Sequence, residues 1–318
     1  MKKVLGINIS HHVSCAYFED DILKEYYEED RFNKIKHFMP PDPFYEGPYN
    51  YQILKKFKDI VFDALIIVSY DRGDISVEKP YVDDIIKQVN FKRYIFYYRE
   101  HHLFHATCGF YFSKFDEALV VSTDGGGERC PDHRKNDQRN FRTMEAIFTI
   151  DKKQVKAHYK RCSNARDDYF DNFEKVPAEK VDYAHDVEWS LTNKKIGGFK
   201  YLWYLHEAGF NENEEGQMMG IAPYKDKGTN LDKKVLELAH KAQEETLQDR
   251  IKLIEKAMTY SDCKNIILTG GYHLNCSNNF KLVKHFPKLN FFVDPIPYDG
   301  GTAVGGAFYY VQDYKRQF

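Results

Sequence analysis

Two histidines, His101 and His105, stand four residues apart in the run Glu100-His101-His102-Leu103-Phe104-His105. If residues 106–112 continue as a helix, that spacing turns both imidazoles to one face while His102 points elsewhere. Neutral imidazole is the commonest side-chain metal ligand, so the pair is half of a metal site. Carboxylates would complete it. The chain offers two in glycine-rich turns: Asp124 in Ser122-Thr123-Asp124-Gly125-Gly126-Gly127-Glu128, and Asp299 in Tyr298-Asp299-Gly300-Gly301-Thr302. Two His and one or two carboxylates leave open positions on a hard or borderline divalent ion such as iron, manganese or zinc, which can hold a phosphate or acyl oxygen. An isolated His pair is more often a core or capping feature, and it is the carboxylates that lift this one.

The glycines suggest a cradle. Gly125, Gly126 and Gly127, with Glu128 beside them, can expose backbone N–H groups to phosphate oxygens, although a plain glycine hairpin with a turn Asp fits as well. Gly270 and Gly271 follow Ile266-Ile267-Leu268-Thr269 and precede a helix, a second anion-turn candidate. Asn275 and Asn279, again i, i+4, are placed to face a ribose or base, or simply to cap a helix. Gly300 and Gly301 form a third turn, which reads equally as a helix entry. Near the N-terminus, His11 sits after the first strand, where it can serve as a general base or lie in solvent. Arg31, Lys36 and His37 are candidates for an anionic donor, a solvated charge run being the alternative.

Around these residues the pattern is that of a layered α/β protein. Residues 3–9, 13–18 and 22–27 read as three strands, and 118–122, 144–150 and 154–159 as three more, each set joined by polar turns. Helical spacing falls at 51–60, 82–89, 199–208, 231–258, 273–285 and 303–314. Two similar openings in one chain suggest internal duplication, the plan of the actin-like ATPase (duplicated ribonuclease H-like) fold with two related lobes and a central cleft. The lobes are expected at 1–115 and 116–318, with a long polar insertion near 160–186.

Composition narrows the function classes. The 318 residues are 42% hydrophobic and 30% charged, a soluble globular balance. A formal net charge of −2 and a pI near 6.7 provide no extended nucleic-acid surface, while a single nucleotide or small substrate stays open. No apolar run reaches signal-peptide or membrane-span length, and six cysteines without CxxC spacing fit a reducing, cytoplasmic setting.

As a set, residues 6–16, 28–37, 101–113, 120–128, 209–224 (ending Met218-Met219-Gly220-Ile221-Ala222-Pro223-Tyr224), 268–279 and 294–307 resemble the O-carbamoyltransferase family of nodulation-factor, cephalosporin and tobramycin carbamoyltransferases, in its N-terminal, threonylcarbamoyl-transfer-like domain. The resemblance implies that His101, His105, Asp124 and Asp299 bind a divalent metal, iron foremost with manganese or zinc as alternatives. It implies that the three glycine turns hold ATP, AMP or carbamoyl-adenylate. It also makes His11 the catalytic base and places catalytic Lys36 toward the phosphate. His12 stands where the family usually has Asp, Gln217 where it has Lys, and Lys225 where it has Gly. The family's separate C-terminal domain, which makes carbamoyl-adenylate, has no counterpart up to Phe318, so the donor is expected either from a separate partner protein or from a minimal activity of the chain itself. The expected activity is carbamoyl transfer to a hydroxyl or amine of a small-molecule, sugar or nucleotide acceptor. A threonylcarbamoyl-type tRNA transferase and a non-catalytic nucleotide-binding subunit are the alternatives, and nothing in the chain sets the oligomeric state.

Overall fold

The computed structural model describes residues 1–41, 46–70, 75–129, 141–164, 180–181, 187–192, 194–211 and 213–313. The first seven strands are β1 (Lys3–Asn8), β2 (Ser14–Glu19), β3 (Ile22–Glu28), β4 (Val61–Phe62), β5 (Ala64–Val68), β6 (Asn90–Phe91) and β7 (Tyr94–Tyr97). Five of them make a sheet in the order β3-β2-β1-β5-β7, and β4 pairs with β6. The next seven are β8 (Glu117–Thr123), β9 (Arg142–Asp151), β10 (Val155–Ser163), β11 (Lys180–Val181), β12 (Glu188–Thr192), β13 (Asn265–Thr269) and β14 (Asn290–Val293). They form a second sheet in the order β11-β12-β10-β9-β8-β13-β14.

The two sheets repeat one plan. An antiparallel meander, β1-β2-β3 or β8-β9-β10, is extended on its first strand's free side by two parallel strands, β5-β7 or β13-β14. Short polar turns join β1, β2 and β3 and join β9 to β10, while the longer β8–β9 connection passes outside the described residues at 130–140; the parallel additions need crossovers. The helices are α1 (Asp30–Asn33) and α2 (Ile75–Ile86) in the first half, then α3 (His101–Ser113), α4 (Gly197–Glu207), α5 (Glu215–Ile221), α6 (Lys233–Ala257), α7 (Cys276–His285) and α8 (Thr302–Val311); α2 makes the crossover from β5 to β7, α4 to α6 lead into β13, and α7 crosses from β13 to β14. Of the insertion expected near 160–186, residues 160–163 belong to β10, and most of the remainder lies outside the described residues.

Period-two alternation divides each sheet into two buried faces. In β1 and β5, Leu5, Ile7, Leu65 and Ile67 turn to one side with Tyr81 and Ile85 of α2, while Val4, Ile66 and Val68 turn to the other. The second sheet sends Leu119, Val121, Ile266 and Leu268 toward Ile251 and Ile254 of α6, and Val120 and Phe148 inward. Between the inward faces lie α3 and α8, and here the chain exchanges partners. Helix α3, which follows the first sheet, packs on β8, β9 and β13, while the final helix α8 packs back on β1, β2 and β5. Both are buried nearly all round, as helices between two sheets must be. Glycine makes the approach possible. A Cβ on Gly6 would sit 2.1 Å from the Ala303 carbonyl oxygen, and one on Gly305 would sit 1.8 Å from that of Phe104. Phe104 itself is fully buried, worth about 2 kcal/mol or more of apolar transfer. Among the described residues no helix is long and apolar enough to cross a membrane.

Candidate metal centre and cleft

The helix exchange carries four expected ligands to one point. His101 and His105 are on the first two turns of α3, Asp124 follows β8, and Asp299 opens the short 3₁₀ turn before α8. One ligand atom from each lies within 4.8 Å of the others. His101 Nε2 is 3.2 Å from Asp124 Oδ2, 3.5 Å from Asp299 Oδ1 and 3.0 Å from His105 Nε2, and His105 Nε2 is 3.8 Å from Asp299 Oδ1. The imidazoles are buried and the carboxylates nearly so, with 11% and 13% of the Asp124 and Asp299 side chains exposed.

Each carboxylate is oriented through its second oxygen. Gly271 N–H donates to Asp124 Oδ1 at 3.1 Å, leaving Oδ2 for the imidazoles. Ser10 Oγ lies 2.8 Å from Asp299 Oδ2 and 2.6 Å from Asn8 Oδ1, its single proton serving one at a time. Outer contacts of this kind fix ligand geometry. Burial alone would deprotonate His101, but Asp299 and Asp124 outweigh it and raise the imidazole to about 10. Burial and the neighbouring His101 lower His105 to about 3. Burial would raise both carboxyls, yet the imidazoles hold Asp124 and Asp299 below the usual carboxylate range. The cluster therefore draws positive charge to itself, and its N₂O₂ donor set suits a divalent cation.

Asp124 and Asp299 form part of the wall of a cleft of about 550 Å³. Gly125, Gly126, Gly198 and Gly271 lie on the Asp124 side, and Tyr201, Leu202, Met219, Tyr272 and Leu274 make an aromatic and apolar half. His11, His12, Lys36 and His37 form a basic wall, so His11 and Lys36 share the cleft with the carboxylates. His12 and His37 both have φ of +56°, which for a non-glycine residue costs roughly 1 kcal/mol each.

Several expected cofactor contacts stand elsewhere. Gly127 and Glu128 do not line the cleft. Glu128 is buried behind α3, where its carboxylate accepts from the His102 N–H at 3.2 Å, meets His102 Nδ1 at 3.1 Å, and accepts from Lys160 Nζ at 2.6 Å. A Cβ on Gly127 would meet the His102 ring. The Glu128 carboxylate is therefore occupied by protein donors rather than turned to a ligand. Gly270 has φ of +88° and abuts the Thr123 backbone, while Gly300 and Gly301 lie against Tyr26, Tyr298 and the Ile296 carbonyl, so these glycines serve close packing. Asn279 is turned inward, its amide donating to the His273 carbonyl at 2.7 Å. Asn275 does line the cleft, but its Oδ1 caps α7 by accepting from the Asn278 N–H.

Other contributors carry no motif. Gly198 N–H donates to the Asp124 carbonyl at 2.9 Å. The fully buried Arg250 donates to Thr123 Oγ1 at 2.7 Å and pairs with Glu145, whose Oε1 also accepts the Gly197 N–H. Arg250 shares the buried face of α6 with Gln243 and Thr246, polar residues that interrupt its apolar spacing without marking a motif. Tyr201 and Met219 sit in helices whose residue types say core as readily as cleft.

Duplicated sheets, exchanged helices and a cleft closed by both strand ends define the actin-like ATPase class. A ROK family protein from Streptococcus pneumoniae, solved with sucrose, superposes with a TM-score of 0.54 at 9% identity over 98% of each chain. HypF, solved in a phosphate- and nucleotide-bound form, superposes with a TM-score of 0.57 at 10% identity over 99% of this chain and 56% of its own. Residues 175–308 match the carbamoyltransferase N-terminus family. An uncharacterised protein of Synechocystis is 23% identical across 96% of this chain, and the chain spans 56% of that relative's length.

Proposed function

We propose that this chain transfers a carbamoyl group from carbamoyl-adenylate to a hydroxyl or amine of a small-molecule, sugar or nucleotide acceptor. The observation that carries the reading is the His101, His105, Asp124 and Asp299 cluster at the wall of a cleft, in a chain whose residues 175–308 match the carbamoyltransferase N-terminus family. These four side chains would hold a divalent ion, iron first with manganese or zinc as alternatives. When bound, the ion supplies Lewis-acid polarisation and orientation of donor oxygens.

The chain's own residues divide the remaining work. Gly125, Gly126 and Gly271 let the backbone come close to an anionic donor, and Lys36 offers a charge from the opposite wall. The half formed by Tyr201, Met219, Tyr272 and Leu274 suits a nucleoside base. The nucleotide bound to HypF, which shares the fold, supports a nucleotide in such a cleft. The acceptor's X–H forms a bond to the carbamoyl carbon, the bond to the adenylate phosphate oxygen breaks, AMP leaves, and the proton passes to a base. His11 is exposed on the cleft wall and available for that role.

Metal analysis joined to AMP binding tests this reading. One divalent ion per chain is expected, with AMP affinity reduced in a His101→Ala, Asp299→Ala double variant. A protein that binds no divalent ion, and whose double variant binds AMP as well as the parent, is a nucleotide-binding subunit without this chemistry. Incubation with ATP and carbamoyl phosphate decides the donor: AMP release by the chain alone removes the need for a partner.

A further inference from the structure

The four expected ligands are not carried alike. His101 and His105 ride on α3, and Asp124 stands directly after β8, where its N–H donates to the Met144 carbonyl at 2.9 Å and its own carbonyl accepts from Gly198. Asp299 instead opens a short turn whose next two residues are glycines. Glycine leaves such a turn free to move, and a ligand that must first be ordered binds its ion more weakly. How well Asp299 serves therefore depends on what anchors the turn.

Residues of the first sheet supply the anchors. Ser14 and Glu28 are cross-strand partners on β2 and β3. Ser14 Oγ donates to the Gly300 carbonyl at 2.7 Å, and the Glu28 carboxylate accepts from the hydroxyl of Tyr298, the residue just before the ligand. Glu28 is buried and itself held in place. The Tyr26 hydroxyl donates to the same oxygen at 2.8 Å, and Arg31 Nε donates to the other at 3.2 Å. Hydrogen bonds to an ionised carboxylate are about twice as strong as neutral ones. The Tyr298 ring is also packed, with the His12 ring at 4.7 Å between centroids. His12 in turn meets His37 through facing ring nitrogens, across turns joined by the Val13 N–H to Phe38 carbonyl bond of 3.2 Å. Tyr298 is moreover where the turn begins: its backbone is extended, and its carbonyl accepts from the Gly301 N–H at 2.9 Å. Neighbouring Cα atoms are only about 3.8 Å apart, so a shift of Tyr298 passes directly to Asp299.

We propose that Glu28 is a positioning residue for the metal centre: it fixes the Tyr298 hydroxyl and, through it, the reach of Asp299 toward His101 and His105. The inference rests on the divalent-metal part of the reading above. Ser10 touches the Asp299 carboxylate itself, whereas Glu28 sets where the turn stands. Both Glu28 oxygens are taken by protein donors, so its influence on the ion is exerted at one remove, as outer contacts of metal ligands do.

Cobalt(II) bound by the whole chain is the probe, read by competition with a chelator and by its visible absorption. Tyr298→Phe removes one hydroxyl and keeps the ring, and Glu28→Met removes the acceptor and keeps the length. Each is expected to weaken cobalt binding about 10-fold, and the double variant by no more than about 10-fold, since both changes break one link. The absorption of each variant is expected to move toward that of Asp299→Ala. Ile85→Val, in the core on the far face of the first sheet, lowers stability without touching the turn and is expected to bind cobalt as the parent does. Cobalt bound by Tyr298→Phe as tightly as by the parent, losses that multiply to about 100-fold in the double variant, or an equal loss in Ile85→Val overturns the positioning role alone. A parent that binds no cobalt overturns the metal reading beneath it.

Discussion

The turn after β1 and the turn after β8 occupy equivalent places in the two repeated sheets, and they face each other across one cleft. The first carries Ser10, His11 and His12; the second carries Asp124 and three glycines. They are also held differently. Beneath the second turn, the buried Arg250–Glu145 pair grips Thr123 and the start of α4. Beneath the first, a single amide, Asn8, donates to the carbonyls of His11 and His12. A duplicated scaffold has thus produced one end whose carboxylate, Asp124, follows a residue gripped by an ion pair, and one that presents imidazoles and steadies Asp299 through hydrogen bonds.

The largest expected effect is on the braced side. Arg250→Ala leaves the buried Glu145 with Arg161 as its one remaining cation among the described residues, and should cost about 3 kcal/mol in urea unfolding, because breaking a buried pair is far more costly than losing a surface pair. Asn8→Ala should cost less, about 2 kcal/mol, for the several hydrogen bonds lost; equal losses would break the contrast. Next come the proposed metal ligands. Asp124→Ala should lower divalent-metal affinity at least about 100-fold, and Ser10→Ala about 10-fold, since Ser10 only orients Asp299. Competition with a chelator measures both, and a Ser10 effect as large as that of Asp124 would place the hydroxyl on the metal.

The smallest effect concerns a carboxyl set back from both turns. Burial raises Asp294 to about 6 despite hydrogen bonds from the Ile296 N–H and Thr269 Oγ1 and a contact from Cys108. A raised folded-state value means that its contribution is fully present below the ordinary Asp range and is lost as pH climbs through 6. Asp294→Asn lacks that loss, so between pH 5 and pH 7 its stability should gain on the parent by about 1 kcal/mol. An unchanged difference would show that Asp294 titrates normally.

Much of this was legible in the chain because it rests on short-range rules. The i, i+4 histidines, the two acidic glycine turns and both meanders follow from spacing and turn chemistry, and the structure brings His101, His105, Asp124 and Asp299 together. The glycines misled where a residue without a side chain has two uses: Gly270, Gly300 and Gly301 lie against backbone and aromatic neighbours, not in the cleft wall. Glu128 misled for a related reason, since the buried partners that claim it, His102 and Lys160, come from α3 and β10. The meeting of His12 with His37 depends on two left-handed residues and a cross-turn hydrogen bond, which no periodicity records. Nor does the near-uniformly apolar run of α8 say which sheet it will cover.

That exchange of helices sets a condition on how the chain is made. The face of β1 bearing Gly6 is closed by Ala303, far later in the chain, so that face of the first sheet stays open until α8 has been synthesised. Such long-range closure is slow and leaves apolar surface open to aggregation. The first half is therefore expected to depend on chaperones during translation, and to become soluble on its own only when a peptide bearing residues 302–311 is supplied in trans.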